Sequence, residues 1–482
     1  MLSTSNDVPQ YRIVGAEELD GNPLVAHLPL SPETDDDAFM ALATRPEFAV
    51  RDRELPNSIR RLRINRLRRF YVPVMPVHRR ALTNIVTNIL DGYIQRNPLT
   101  PLGQRILQGW KIDLPFSPTI SMVAGNSGMG KSTLMNRIQT YLGGQVWTHT
   151  NFRGEPFTET QVLWLRRNVP EHCTVGTLCS EFGDYADGVL GLRLYGGIFA
   201  KLEGSGRNAY LSEIRKIVTT HHVGVLVLDE FQNLNLMGVG AAKIIALLVN
   251  LRDELGLPIV VIGTYKALKL LRSELSTGRR LVEGGYFDLE RPLSTDDEHW
   301  QSLCHAAWEF QWVRNPTGYS EAIGQALYEV SQGITGIMLS ALATAQLAAI
   351  EDGSECVTAD LIRKVFKERM KPLHPAVRVL QSGDPVLMDK FEDLYRNFWP
   401  TTDREGVEAA SVDVATNLAA AKVESSATAS FKKQSSRSRK SKDADSAAGG
   451  QEPRKAALSE EQIRKLVLAD SMRDLISVLE GR

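Results

Sequence analysis

One glycine-rich segment has the residue types and the spacing of a phosphate-binding loop. It matches the pattern G-x-x-x-x-G-K-[ST] and consists of Gly125, Asn126, Ser127, Gly128, Met129, Gly130, Lys131, Ser132 and Thr133. The segment lies between a run that predicts a strand and a pattern that predicts a helix, which is the context this motif requires. Its glycines allow backbone N–H groups to point at phosphate oxygens, beside the positive end of the helix dipole. We therefore expect ATP to bind here, with Lys131 on the β- and γ-phosphates and Ser132 as a ligand of Mg²⁺.

Two carboxylates follow an aliphatic run about a hundred residues later. Residues 223–228 predict a buried strand, and Asp229 and Glu230 come directly after it. Paired acids at such a place are costly unless they face a cation. We expect Asp229 to hold the Mg²⁺ and its water shell, and Glu230 to polarise the attacking water. The alternative is a carboxylate pair that merely ends a strand.

Three further polar residues are candidates for catalysis. Thr264 follows the next aliphatic run, residues 258–263, where its hydroxyl would sense the γ-phosphate. Arg279 and Arg280 lie in a predicted loop before the last strand. In an oligomeric ATPase an arginine at this place stabilises charge on the transferred phosphoryl group of a neighbouring subunit. A solvated arginine pair is the alternative.

The elements around these residues predict an α/β fold. Short apolar runs alternate with helical patterns between residues 117 and 293, as in a parallel sheet with crossover helices. The five predicted strands are residues 119–124, 146–149, 223–228, 258–263 and 286–289. From residue 294 to 399 the pattern is helical and predicts a small lid with an extension.

The flanking segments differ in composition from this core. Residues 1–57 predict a mostly extended N-terminal arm, and residues 58–116 a basic amphipathic segment followed by a helical extension. Residues 400–458 have almost no aromatic side chains and carry a basic run, which predicts a disordered linker. Residues 459–482 begin with the spacing of a capping box and predict a terminal amphipathic docking helix.

Composition narrows the class of protein. The 482 residues include 56 Lys and Arg against 57 Asp and Glu, so a net charge of −1 gives no global argument for nucleic acid. The four cysteines lack CxxC spacing, which excludes a zinc ribbon and a disulfide scaffold. The N-terminus has no signal-peptide pattern, and no apolar run reaches membrane-spanning length. We therefore expect a cytoplasmic protein.

Together these motifs resemble the TnsC/TniB family of AAA+ regulators of DNA transposition. The likeness covers about residues 60–380 and is carried by GNSGMGKST, LDEFQ, IGTYKA, STGRRL and SQGITGI, with GYIQRNP upstream and VGTLCSEFGDYAD as a helical insertion. The resemblance implies an AAA+ core, and assembly on duplex DNA as a ring or helical filament. It also implies partners: a TniQ/TnsD-type target selector and a TnsA/TnsB-type transposase. By the same analogy, DNA contacts fall at Arg153, Thr174 and Thr177. The lid segment lacks the GxxR-type arginine found in many such ATPases.

Two other interpretations share parts of this pattern. A replication-initiator-like or helicase-loading ATPase would use the same core and insertion with different partners. A nucleotide-gated signalling adaptor would bind protein and ignore DNA. Apart from Asp229 and Glu230, no acidic cluster typical of a nuclease or integrase stands out, so strand cleavage by this chain is not expected.

Overall fold

The computed structural model describes residues 7–391, apart from residues 109, 111–118, 172, 174, 203, 204, 206, 235–238, 273 and 274. The described residues belong to one compact unit. The predicted linker and docking helix, residues 400–482, lie outside them. Of the described helices, none alone has the length and apolarity to span a membrane, and one bent pair, Glu321–Ser331 with Thr335–Glu351, passes that test only when both are counted together.

A five-stranded parallel sheet forms the centre of the molecule, as predicted. Its order is β4-β5-β6-β1-β7, and its members are β1 (Ile120–Gly125), β4 (Trp164–Asn168), β5 (Val225–Asp229), β6 (Ile259–Gly263) and β7 (Tyr286–Leu289). The central strands β5, β6 and β1 are buried along their whole length, because helices cover both faces. All carboxyl ends of the strands meet at one edge, where the glycine-rich segment, Glu230 and Thr264 follow β1, β5 and β6.

One strand of the predicted sheet was assigned wrongly. Residues 146–149 belong to β2 (Val146–Phe152), which pairs antiparallel with β3 (Glu155–Val162) in a separate two-stranded sheet. The connecting residues Arg153 and Gly154 have φ of 53° and 92°, the conformation that matches a two-residue turn to the twist of a hairpin. The fifth strand of the parallel sheet is β4, an edge strand whose Arg166 and Arg167 hid it from a search for aliphatic runs.

Helices pack on both faces of the sheet. One face is covered by α7 (Val175–Leu190), α9 (Arg207–Thr220), α10 (Val239–Leu255) and α11 (Leu275–Val282), with α8 (Tyr195–Lys201) beside α7. The other face is covered by α4 (Pro76–Gln95) and α6 (Lys131–Leu142). Two 3-10 turns, Phe231–Asn233 and Tyr265–Arg272, follow β5 and β6. The segment before β7, which was predicted to be a loop, is the helix α11, and Arg279 and Arg280 lie in its last turn.

The N-terminal region is more helical than predicted. It contains α1 (Glu17–Asp20), α2 (Asp35–Leu42), α3 (Asn57–Ile64), α4 and α5 (Pro101–Leu107), with 3-10 turns at Val50–Glu54 and Asn65–Arg69. The expectation of a mostly extended arm was wrong for α2, which a reciprocal capping box between Thr34 and Asp37 stabilises at its start. The acidic run that suggested an extended arm supplies the first turn of this helix, where negative charge is favourable.

The lid is a helical bundle packed against N-terminal residues. Its elements are α12 (Glu298–Trp308), α13 (Glu321–Ser331), α14 (Thr335–Glu351), α15 (Ala359–Arg369), a 3-10 turn at Lys371–Leu373, α16 (His374–Ser382) and α17 (Pro385–Lys390). Its apolar core includes Phe39, Ile64, Leu67 and Phe70 from the N-terminal region. The N-terminal region therefore contacts both the lid and, through α4, the sheet.

Candidate nucleotide site

The glycine-rich segment forms a tight loop between β1 and α6. Gly128 and Gly130 have φ of 86° and 84°, a backbone conformation that other residues rarely adopt. A Cβ atom on Gly128 would lie 2.9 Å from Ile334 Cγ2, so the loop and the start of the lid approach more closely than a side chain allows. The loop ends at the N-terminus of α6, where unpaired N–H groups and the helix dipole favour an anion.

Polar groups at the start of α6 meet the end of β5. The Lys131 ammonium donates to the carbonyl oxygens of Gly125 at 3.0 Å and Asn126 at 2.9 Å, which holds it over the loop. The Ser132 hydroxyl donates to Asp229 Oδ2 at 2.9 Å. Asp229 is 3% exposed, and its Oδ1 accepts the backbone N–H of Glu230 at 2.9 Å.

Glu230 and Thr264 are connected through one glutamine. Glu230 has a φ of 57°, so the chain turns sharply after β5 and the exposed carboxylate faces the cleft. The Gln232 side-chain amide donates to Glu230 Oε2, and its carbonyl oxygen accepts the backbone N–H of Thr264 at 2.9 Å. Gln232 therefore fixes the Glu230 carboxylate relative to the end of β6. Sequence reasoning missed this residue, although it lies within the segment LDEFQ.

A guanidinium that the sequence analysis did not single out also contacts Asp229. Arg166 Nη2 lies 2.6 Å from Asp229 Oδ2, and it donates to the Ser132 carbonyl oxygen at 3.3 Å. The ion pair is nearly buried, with side-chain exposures of 15% and 5%. The sequence gives one signal for the place of Arg166: consecutive side chains of a strand point to opposite faces of the sheet, so Arg166 and Arg167 must lie on different faces of β4.

Three parts of the chain enclose the cleft, which has a volume of about 580 Å³. Lys131, Ser132, Glu230 and Thr264 line its floor. The N-terminal region lines one wall, with Arg68 and Tyr71 among its residues, and α14 lines another. The lid is attached directly to the loop, because the backbone N–H of Gly336 donates to the Gly128 carbonyl oxygen at 2.9 Å.

The positive charge available in the cleft comes from outside the lid. Among the described residues that line the cleft, α14 contributes only small, hydroxyl and aliphatic side chains. Arg68 is exposed and makes no hydrogen bond or ion pair with another described residue, so its guanidinium is available to an anion. Tyr71 is buried, and its ring lies 3.1 Å from the place of a Cβ on Gly130. Burial raises the pKa of its hydroxyl, so Tyr71 stays neutral beside the loop.

The other predicted residues lie away from the cleft floor. Arg279 and Arg280 are exposed on α11 and do not line the cleft. Arg153 is exposed in the β2–β3 turn, with its guanidinium 5.4 Å from the Phe152 ring centroid. Thr177 is exposed in the first turn of α7, whereas Thr174 lies outside the described residues. The structure thus brings the glycine-rich segment, the two carboxylates and Thr264 together, and it places Arg279, Arg280, Arg153 and Thr177 away from the cleft.

The residues present fit a magnesium nucleotide. A serine hydroxyl and a buried carboxylate 2.9 Å apart supply the hard oxygen ligands that Mg²⁺ prefers. The loop amides and Lys131 supply positive groups for phosphates. Within the described residues, no cluster of three or more His, Cys, Asp or Glu side chains forms a metal site built from protein alone.

The core is similar to one protein family, and the chain is similar to several solved structures. Residues 114–271 match the family model of the AAA domain. Similar solved structures include the Walker-type ATPase PABY2304 of Pyrococcus abyssi (16% identity, TM-score 0.36, 55% of this chain and 71% of that chain). The RuvB Holliday junction branch migration motor of Thermotoga maritima is another (14% identity, TM-score 0.31, 59% of this chain and 68% of that chain). A third is the Aeropyrum pernix ORC1 protein in complex with DNA (15% identity, TM-score 0.37, 61% of this chain and 66% of that chain). No curated protein matches the sequence significantly.

Proposed function

We propose that this chain, whose residues 114–271 match the family model of the AAA domain, is an ATP-hydrolysing regulator of DNA transposition. In this proposal it assembles on duplex DNA, links a TniQ/TnsD-type selector to a TnsA/TnsB-type transposase, and uses hydrolysis to control the assembly. The observation that carries the switch is the cleft, since the phosphate loop, the lid and the N-terminal region all line it. A nucleotide bound there contacts all three, so its state determines how they are held together.

The residues at the floor of the cleft and Asp229 behind it have defined roles in this proposal. Lys131 and the loop amides bind the β- and γ-phosphates. Ser132 and Asp229 hold Mg²⁺, which neutralises developing charge on the phosphoryl oxygens when bound. Glu230, held by Gln232, orients the attacking water and accepts its proton. Thr264 senses the γ-phosphate at the end of β6.

Assembly on DNA is proposed from the family resemblance and from the placement of exposed cations. Arg153 occupies the tip of a hairpin, and Thr177 lies on the exposed part of α7. In the basic segment, Arg61 and Arg69 are exposed and have no hydrogen-bond or ion-pair partner among the described residues. Contacts of this kind to phosphates are independent of sequence and depend strongly on salt. Thr174 remains a proposed DNA contact by analogy alone.

Arg279 and Arg280 are proposed to act on the nucleotide of a neighbouring subunit. Their exposure on α11, away from the cleft of their own chain, is what such a role requires. Mixing Arg279→Ala or Arg280→Ala subunits with Lys131→Ala subunits should give hydrolysis rates that do not add. Simple additivity would identify the pair as ordinary surface arginines.

Binding of labelled duplex DNA tests the proposal. We expect fluorescence anisotropy to report binding with a non-hydrolysable ATP analogue at low salt, and little binding with ADP. Lys131→Ala should lose nucleotide binding and nucleotide-dependent DNA binding together, because the ammonium holds the phosphates. Nucleotide binding without any effect on DNA would favour a signalling adaptor. Nucleotide-dependent DNA binding together with loading of a replicative helicase would favour the replication-initiator-like ATPase.

A further inference from the structure

The guanidinium of Arg166 contacts both residues proposed to hold the metal. Its Nη2 atom lies 2.6 Å from Asp229 Oδ2 and 3.3 Å from the Ser132 carbonyl oxygen. The same Oδ2 atom accepts the Ser132 hydroxyl at 2.9 Å. Both oxygens of Asp229 therefore accept hydrogen bonds: Oδ1 accepts the Glu230 N–H, and Oδ2 accepts from both Ser132 and Arg166.

The charges around this contact balance without a metal. Asp229 is the only carboxylate among the described residues that pairs with Arg166. The other side-chain partners of the guanidinium, Asn136 and Gln139 on α6, are neutral acceptors on its Nη1 side. Asp229 and Arg166 form a neutral, nearly buried pair, whereas a divalent cation at Asp229 would be repelled by the guanidinium.

We propose that Arg166 is a built-in counter-cation that competes with Mg²⁺ for Asp229. Loading of the metal requires the guanidinium to leave Oδ2, and the amide oxygens of Asn136 and Gln139 lie within its reach on the surface of α6. Arg166 thereby sets the Mg²⁺ concentration at which the nucleotide site becomes complete. It is a positioning residue, because it acts through Asp229 and need not touch the nucleotide.

The neighbouring arginine provides a matched control. Arg167 is on the same strand, but alternation points it to the opposite face, where it pairs with Glu181 of α7. Arg167→Gln removes the same charge and the same side chain from β4 without affecting Asp229. Arg166→Lys keeps the charge but replaces a planar fork that bonds several oxygens by a single ammonium.

The test is Mg²⁺-dependent binding of a fluorescent ADP analogue to the full-length chain. We expect Arg166→Gln to lower the half-saturating Mg²⁺ concentration by about tenfold. Arg166→Lys should lie between Arg166→Gln and the wild type, and Arg167→Gln should match the wild type. Circular dichroism and analogue binding without Mg²⁺ check that each variant folds. If Arg166→Gln does not fold, Arg166→Lys against the wild type carries the test.

The inference is wrong if Arg166→Gln does not lower the Mg²⁺ concentration that the nucleotide site requires. An Arg166→Gln variant that folds and needs as much Mg²⁺ as the wild type, or more, would show that Arg166 does not compete with the metal. So would an Arg167→Gln variant with the same shift as Arg166→Gln. The inference rests on the proposed nucleotide site, and the two fail differently. A wild type that binds no nucleotide defeats the site, whereas normal binding with no Arg166 effect defeats only this inference.

Discussion

Glu230 adopts a left-handed backbone conformation at the point where β5 ends. A φ of 57° is uncommon for a residue other than glycine and carries a cost that surrounding contacts must offset. The contacts here are the hydrogen bond from its N–H to Asp229 and the one from Gln232 to its carboxylate. Together they hold the carboxylate at the cleft, where the proposed role of Glu230 is to accept a proton from water.

Substitution of Glu230 tests that role at the scale of one residue. Glu230→Gln keeps the size and the contacts of the side chain but cannot accept a proton. We expect phosphate release to fall by about 10²-fold or more, with nucleotide affinity unchanged, as for loss of a general base. Steady-state phosphate assays and nucleotide titration measure the two quantities. Full turnover in this variant would assign the base to another group.

Sequence reasoning identified residues whose chemistry is local and missed those defined by a distant partner. The loop, Asp229 and Glu230 can be recognised because each follows a strand signal directly. Arg166 pairs with a residue 63 positions away, and its role appears only when β4 is placed beside β5. Arg68 lies in a segment whose arginines look alike in sequence, and only the fold separates the one at the cleft.

The helix α3 shows how packing divides a uniform basic segment. Arg60 is fully buried, and its guanidinium forms two hydrogen bonds with Glu355 of the lid, at 2.5 and 2.6 Å. It also donates to the Trp312 carbonyl oxygen at 3.0 Å. This contact holds the pKa of the Glu355 carboxyl below its usual range. Arg60 therefore links the N-terminal region to the lid and is unavailable to DNA.

Removal of this link should destabilise the lid. Arg60→Ala removes both side-chain hydrogen bonds of the buried Glu355 carboxylate and leaves it only Arg314, whose backbone N–H lies at 3.1 Å and whose half-exposed guanidinium lies at 3.9 Å. Loss of the buried partner of a charge costs about 3 kcal/mol in comparable cases. We expect a lower free energy of unfolding in urea, while Arg61→Ala, an exposed neighbour without a described ion pair, should leave it nearly unchanged. Equal effects of the two substitutions would mean that the buried pair contributes nothing specific.

The hairpin shows a second limit of sequence patterns at the scale of elements. Residues 146–149 include β-branched and aromatic side chains, so a strand was predicted, but nothing in the pattern says which strand they join. The turn at Arg153 and Gly154 is the local signal for the antiparallel partner, and it is easily missed because arginine rarely adopts a positive φ. β4 was missed because two of its five residues are arginines, which pair with Asp229 and with Glu181 of α7 and interrupt the apolar pattern of a strand.

For the molecule as a whole, the half-buried His27 and the buried His149 help to attach the N-terminal arm to the hairpin. The Tyr11 hydroxyl lies 2.7 Å from His149 Nδ1, and His27 packs edge-on against Trp147 and His149. Burial lowers the pKa of His27 to about 3 and that of His149 to about 4. Both are therefore neutral in the folded protein at physiological pH.

Acidification should weaken the folded state through these two residues. Below pH 6.5 the unfolded chain takes up protons that the folded chain accepts only near pH 3 at His27 and near pH 4 at His149, so stability is lost as the pH falls through this window. We expect each histidine to cost on the order of 2 kcal/mol between pH 6.5 and pH 5. Urea unfolding at both pH values measures the loss, and His149→Gln should reduce it. Identical stability at both pH values would contradict the burial of neutral histidines.

Electron microscopy can show directly whether a bound nucleotide controls assembly of this chain on DNA. The purified chain is imaged by negative stain with duplex DNA and a non-hydrolysable ATP analogue, with ADP, or without nucleotide. We expect rings or filaments on DNA with the analogue only, because a triphosphate bound in the cleft would contact the glycine-rich loop, the lid and the N-terminal region together. Single particles that ignore DNA under all three conditions would contradict a nucleotide-switched assembly on DNA.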